Sequence, residues 1–415
     1  MTDEYVLGIS GIDGYNHDNS IAIAKNGRIV FAAAEERYSR IKHDGAIPRK
    51  AIADGLKFLG ISEKSISKIA VGYPRRNLIS LIYNKYFYEV IILMLDLLIY
   101  RNVLLLIDVF KMIVAIIKNF GGNKLSLPIS LGYKPLVYVD HHLAHAASAH
   151  YTSGHPKSIT IVLDAYGTQT NHNYRAGVIY LCENDRLTEI MSIPFYASLG
   201  LFYQGVTLSL GFTPGDGEGK TMGLAAYGNP NRCYGDLRAF CPNFENGIWN
   251  KGRGWLGSFF SSTPQFYGLF YSSQFGRQLK ELNKRVKPED VAAAAQKILE
   301  EEMVALVSFL VRKYPMVHNY ALAGGLFLNV KSNKKIYELK GVEDVYVHPC
   351  AGDGGTAFGG ALVESAKVKF GEKAKLITGG LGSEFTDKEI LKEILRYKDE
   401  ISFKRYRDIA SYTAG

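Results

Sequence analysis

Short apolar runs broken by turn residues open the chain. Tyr5–Ser10 and Ser20–Ala24 read as strands. Asn26-Gly27 is a two-residue hairpin signal, and Ile29–Ala34 completes a three-strand meander. The pattern recurs further on. Ser158–Leu163, Ala176–Leu181 and Leu187–Ile193 read as strands, with a turn at Asn184-Asp185. The turns Lys25-Asn26-Gly27-Arg28 and Glu183-Asn184-Asp185-Arg186 align, which predicts a duplicated α/β unit. Helical periodicity predicts helices at Ala46–Leu59 and from Pro288 to about Lys313. In the second, Glu289 and Asp290 lie in the first turn, where the helix dipole favours anions. Towards the C-terminus the pattern gives strands at Tyr320–Leu322 and Val345–His348. Helices follow at Asn329–Glu338, Thr356–Lys367 and Asp387–Tyr397. Asn229 to Phe275 is rich in Gly and aromatic residues and reads as loop.

The apolar stretch Val90–Ile117 changes the picture only locally. Charges at Asp96, Arg101, Asp108 and Lys111 interrupt it before it reaches the run of about 18 apolar residues that a spanning helix needs. Arg101, Asp108, Lys111 and Lys118 share one stripe, which predicts a packed helical insertion; a helix lying on a membrane surface or docking a partner is the other reading the stretch allows.

At 415 residues the chain exceeds one ordinary domain. A net charge of +9 favours anionic ligands, but no basic run or nucleic-acid module accompanies it, so nucleic acid is not an expected partner. The cysteines Cys182, Cys233, Cys241 and Cys350 are scattered, as in a reduced cytoplasmic protein. The acidic start MTDEYVLGIS does not read as a signal peptide.

The densest chemistry lies in Asp140-His141-His142-Leu143-Ala144-His145. On a helix entered at Asp140, His141 and His145 stand one turn apart on one face, a spacing that suits two imidazoles on one metal ion. A capped helix with polar histidines fits the spacing equally well. A zinc peptidase would carry a Glu base where His142 stands, so proteolysis is disfavoured. Asp164 ends a strand and Asp353 sits in a Gly-rich turn, two further places where α/β folds gather ligands. Gly324-Gly325 and Gly354-Gly355 join strands to helices and suit phosphate contacts. Pro214–Thr221 is not a P-loop, because Pro214 stands at the first required glycine.

His17-Asp18-Asn19-Ser20, Glu35–His43, His141–Ala149, Gly217–Gly228, Gly324–Asn333 and Pro349–Gly360 follow one another in order along most of the chain. Together they resemble the O-carbamoyltransferase family that acts on nodulation factors and on antibiotics such as tobramycin and cephamycins. The resemblance implies a duplicated actin-like, sugar-kinase-like ATPase fold with two ribonuclease-H-like lobes. The first lobe would span 1–150, with a helical insertion at about 77–120. The second would span 151–375, and 376–415 would be a linker. It also implies transfer of a carbamoyl group from carbamoyladenylate, itself made from ATP and carbamoyl phosphate, to a hydroxyl of a small-molecule natural product.

The same resemblance assigns roles. His141, His145, Asp164 and Asp353 would bind a divalent metal, iron before zinc or manganese. Glu218, Lys220, Gly324, Gly325, Asn329, Gly354 and Gly355 would hold the nucleotide. His17, Asp18 and Lys42 would act at the carbamoyl group, His17 as a neutral base on the acceptor hydroxyl. The family usually has Asp-Gly-x-Gly-Glu after the strand, whereas Asp164 is followed here by Ala165-Tyr166-Gly167-Thr168, so acceptor contacts there differ. Family members continue into a domain that makes carbamoyladenylate. This chain ends at Gly415, so the expectation is a separate or truncated activating domain. The alternative is a catalytically idle subunit that binds metal and nucleotide for a partner.

Overall fold

The computed structural model describes residues 3–11, 17–73, 134, 136–168, 174–253, 273–365, 375–376 and 378–414. The expected insertion at about 77–120, with Val90–Ile117 inside it, lies outside the described residues. So do 254–272 of the aromatic loop and the end of the helix predicted to reach Lys367. Two compact units result, 1–381 and 382–415.

The first unit contains two five-stranded sheets of one topology. In the first sheet β1 (Tyr5–Ile9), β2 (Ser20–Lys25) and β3 (Arg28–Ala34) form an antiparallel meander, and β4 (Ile66–Val71) and β5 (Leu136–Tyr138) add in parallel beyond β1. The order is β3-β2-β1-β4-β5. In the second sheet β6 (Lys157–Thr168), β7 (Tyr174–Glu183) and β8 (Arg186–Pro194) repeat the meander. Downstream of a short hairpin, β9 (Asn243–Glu245) with β10 (Ile248–Asn250), come β11 (Asn319–Ala323) and β12 (Asp344–Val347). These two strands add in parallel beyond β6, giving β8-β7-β6-β11-β12. Two sheets with the same order and the same sense of every pair are the duplicated ribonuclease-H-like lobes of an actin-like fold. The Asn26-Gly27 loop has φ of 50° and 77°, the left-handed pair that matches strand twist in a two-residue hairpin.

Helices α1 (Glu36–Ser39) and α2 (Arg49–Leu59) follow β3. Ile52 of α2 joins Leu7, Ile9, Ile21, Ile23 and Phe31 in one buried cluster, so α2 covers one face of the first sheet. The opposite face meets α10 (Thr356–Val363), a helix from the far end of the chain. Helix α3 (His141–Ser153), which follows the first sheet in sequence, packs on β6 and β11 of the second. The two helices thus exchange sheets and lie against each other between them. Their approach requires glycine, since a Cβ on Gly359 would stand 1.7 Å from the Ala144 carbonyl oxygen, and so does the seating of α10 on β1, where a Cβ on Gly8 would stand 1.9 Å from the Ala357 carbonyl oxygen.

The outer face of the second sheet carries the largest core. Helix α4 (Leu199–Ser209) is followed by α5 (Glu218–Leu224), α6 (Tyr234–Arg238) and α7 (Ser273–Arg285). The 26-residue α8 (Pro288–Lys313) buries Val291, Ile298, Leu299, Leu306 and Leu310, and α9 (Val330–Tyr337) precedes β12. The unit 382–415 holds α11 (Asp387–Leu395), opened by a Thr386/Glu389 capping box, and α12 (Ile409–Ala414).

Candidate metal centre and cleft

The local sequence fixes two ligands. Asp140 caps α3, its carboxylate accepting from the backbone N–H of His142 and Leu143 at 3.1 and 3.2 Å. The helix therefore begins at His141, and His141 and His145 share its inner face, 1% and 0% exposed, with ring centroids 4.6 Å apart. Tertiary packing brings the other two. Asp164 lies where the pairing of β6 with β7 shifts register between Leu163 and Gly167. Asp353 opens the turn into α10.

One carboxylate oxygen of Asp164 is 3.3 Å from His141 Nε2 and 3.4 Å from His145 Nε2. One of Asp353 is 3.7 and 3.6 Å from the same atoms. All four ligand atoms lie within 4.8 Å of one another. Ligands held 2.0–2.1 Å from a tetrahedral ion stand about 3.3 Å apart, so these spacings fit a shared ion. His145 Nε2 is moreover buried with no hydrogen-bond partner of its own. Two imidazoles with two carboxylates suit a divalent transition metal.

The electrostatics follow from this crowding. Burial opposes the charge on Asp164, yet His141 and His145 hold its carboxyl well below the ordinary 3.8. Burial opposes charge on His145 too, but Asp164 and Asp353 push it up to about 9. His142 is not part of the cluster; it is fully buried beside the His141 ring, and burial holds it neutral.

The carboxylates of this four-residue cluster, Asp164 and Asp353, line a cavity of about 350 Å³ together with His17, Glu218, Gly325 and Asn329 among others. Tyr73, Tyr166, Tyr203, Gln204 and Met222 also line it; nothing in the spacing of the sequence marks these five.

Asp18 binds His17 Nδ1 at 2.6 Å through one oxygen and His43 Nδ1 at 2.7 Å through the other. The Asp18 bond pushes His17 up to about 9. The neutral base expected near pH 7 is therefore mostly an imidazolium there, because a carboxylate stabilises its charged form. Lys42 is exposed and pairs with Asp216 rather than lining the cavity. Lys220 is also exposed and outside the lining. Burial raises the Glu218 carboxyl, which accepts from the Gly215 N–H at 2.9 Å.

Of the expected nucleotide glycines only Gly325 lines the cavity. Gly324 has φ of 98°, and a Cβ there would stand 2.1 Å from the Leu163 carbonyl oxygen. A Cβ on Gly355 would stand 2.0 Å from the Cys350 carbonyl oxygen, and the Gly354 carbonyl accepts from Ser20 Oγ at 2.6 Å. These three join layers of the fold. Asn329 borders the cavity, but its amide is engaged inside the protein. It exchanges bonds of 3.0 and 2.9 Å with Gln296 and caps α9 through the Ser332 N–H at 3.0 Å.

Comparison with known proteins places these features in context. The family model described as "Carbamoyltransferase N-terminus" matches residues 8–362. The uncharacterized protein sll1178 of Synechocystis is 27% identical over 402 residues, 92% of this chain and 62% of that one. Nodulation protein NolNO of Sinorhizobium fredii is 26% identical over 408 residues, 96% of this chain and 54% of that one. The chain thus spans less than two thirds of either relative. Among solved structures, component A of the Acidaminococcus fermentans (R)-2-hydroxyglutaryl-CoA dehydratase aligns with 88% of this chain and 100% of its own, at 14% identity and a TM-score of 0.43.

Proposed function

The chain belongs to the carbamoyltransferase family through that family's N-terminal domain, and from this premise we propose that it transfers a carbamoyl group from carbamoyladenylate to a hydroxyl of a small-molecule natural product. The observation that carries the reading is the cluster of two buried imidazoles, His141 and His145, with two half-buried carboxylates, Asp164 and Asp353, which line the cavity. These four residues would hold a divalent ion, with iron the expected metal and zinc or manganese the alternatives. Such an ion, when bound, supplies a Lewis acid that polarises the reacting carbonyl or orients the adenylate phosphate.

The chain's own residues supply the rest. A cavity of about 350 Å³ is within the range of small-molecule sites. Gly325 leaves the backbone open to the nucleotide, and Glu218 offers a carboxylate to ribose hydroxyls. Asp18 occupies Nδ1 of His17, which leaves Nε2 as the ring nitrogen free to face substrate. As a cation His17 holds anionic oxygen; once deprotonated it accepts the proton of the acceptor hydroxyl.

Forming carbamoyladenylate from ATP and carbamoyl phosphate requires clustered cations to hold several negative charges together. Lys42 and Lys220 both lie outside the cavity lining, and on this reading a separate activating domain would perform that step. The test mixes this chain with labelled carbamoyl phosphate, ATP and a panel of sugar hydroxyl acceptors. The mixtures are run with and without the C-terminal part of NolNO. Carbamoylated product is expected only with that part added. Product from this chain alone would refute the division of labour. No product in either mixture would favour the idle metal- and nucleotide-binding subunit.

A further inference from the structure

His43 plays no part in the proposed chemistry and does not line the cavity, yet it bonds Asp18, which does. Two segments distant in sequence are stitched together there. Asn19, 1% exposed, donates from its side chain to the carbonyls of Gly45 and Ala46 at 2.7 and 2.9 Å, and its backbone N–H bonds the Asp44 carbonyl at 2.9 Å. Asp18 and His43 face each other across this seam, both in the left-handed region with φ of 61° and 56°. A non-glycine residue holds that conformation only where its surroundings impose it. The His43 backbone N–H is held by Glu36 at 3.1 Å.

We infer that His43 is a positioning residue for His17: by donating from Nδ1 to one oxygen of Asp18, it fixes the carboxylate whose other oxygen holds the His17 ring at the cavity wall. The contacts of 2.6 and 2.7 Å are hydrogen bonds, too short for ligands parted by a metal ion, so the trio is a relay rather than a second metal centre. Both rings offer Nδ1 to Asp18, which fixes the orientation of each. Two donors on one carboxylate also divide its charge between them. His17 then feels less of Asp18 than it would in an isolated Asp–His pair. The charged groups facing His43 are Asp18 and His17 across the seam, Glu36 on α1, its neighbours Lys42 and Asp44, and Asp216 ahead of α5, 3.6 Å from His43 Nε2. Its Nε2 side therefore meets the loop that leads into Glu218. The inference rests on the proposed function only for the duty of His17.

The experiment is a histidine-ring ¹⁵N NMR titration of the full chain with zinc added, the His17 signal being the one lost in His17→Asn. His43→Asn keeps an amide donor at the Nδ1 position and tolerates the left-handed backbone. His43→Gln and His43→Ala lose that donor. With the donor lost, Asp18 should grip the His17 proton more firmly, and the His17 midpoint should rise by about one pH unit. His43→Asn should titrate like the wild type, and all variants should keep wild-type zinc content. An unchanged His17 midpoint in both His43→Gln and His43→Ala, or an Asn variant that behaves as they do, would overturn the inference. Because no substrate is present, wild-type protein that transfers no carbamoyl group, together with His43 variants that show the shift, would sink the functional reading and leave this one standing.

Discussion

Adding one methyl group at Gly167 is expected to break the proposed metal centre from behind. A Cβ there would stand 2.4 Å from His141 Cδ2, 2.6 Å from His142 Cε1 and 2.8 Å from His142 Nε2. Carbon contacts settle at about 3.5–4.0 Å, so the rings must retreat by about 1 Å or more. Helix α3 cannot absorb the shift as a body. Its start is pinned by the Asp140 cap, and its Ala144 carbonyl is already against Gly359 of α10. The rings must turn instead, which takes His141 Nε2 off the carboxylates now 3.3 and 3.7 Å away. Overpacking of this kind costs about 1–3 kcal/mol. Losing one ligand of four should weaken metal binding by about 100-fold or more, since outer-shell partners alone are worth 10- to 100-fold. Competition against a chromophoric chelator gives the affinity, and thermal melting gives the stability. Gly223→Ala is the control: nothing lies within 4 Å of its Cβ, so metal binding should be unchanged and the melting temperature equal or higher. Gly167→Ala with wild-type affinity and melting would refute the packing argument.

Three further outcomes follow from the same geometry. His145→Ala should lose the metal, and elemental analysis of untagged protein purified without chelator checks it; retained metal would remove His145 from the ligand set. His150 and His348 are buried and held neutral at about 4, burial in each case outweighing a bond to a backbone carbonyl. A depressed folded value means that stability is complete above the ordinary 6.5 and is lost as the pH falls towards 4, by about 3 kcal/mol for each ring at most. Urea titrations across that range should show it, and a flat profile would exclude it. With His17 pushed up to about 9 by Asp18, carbamoyl transfer should rise with pH on an acid limb that levels near that value. A profile already level at pH 7 would show that His17 carries no proton to lose there.

Features written in adjacent residues were legible in the sequence. Alternating apolar runs, the Asn26-Gly27 hairpin and the repeated meander predict two like sheets, because strand and turn geometry depend on neighbours a few positions apart. The spacing of His141 and His145 after the cap Asp140 predicts two ligands on one face for the same reason. Asp164 and Asp353 stand out only weakly, as carboxylates at a strand end and in a glycine turn, and only the fold brings them to the histidines. Asp164 and Asp353 are far apart in sequence and meet because α10 crosses back to the first sheet while α3 crosses to the second. The glycine turns were legible as turns but not in their duty. A glycine beside a phosphate and one beside a carbonyl look alike in sequence, and the close approaches at Gly324 and Gly355 come from packed layers. Asn329 reads as a polar group free for a ligand until Gln296, on another helix, takes its amide. His43 carries no periodic signal, and its bond to Asp18 exists because Asn19 stitches two loops together. Local spacing sets which face a side chain takes; contacts between distant segments decide what that side chain meets, and the second depends on the register and packing of the whole fold.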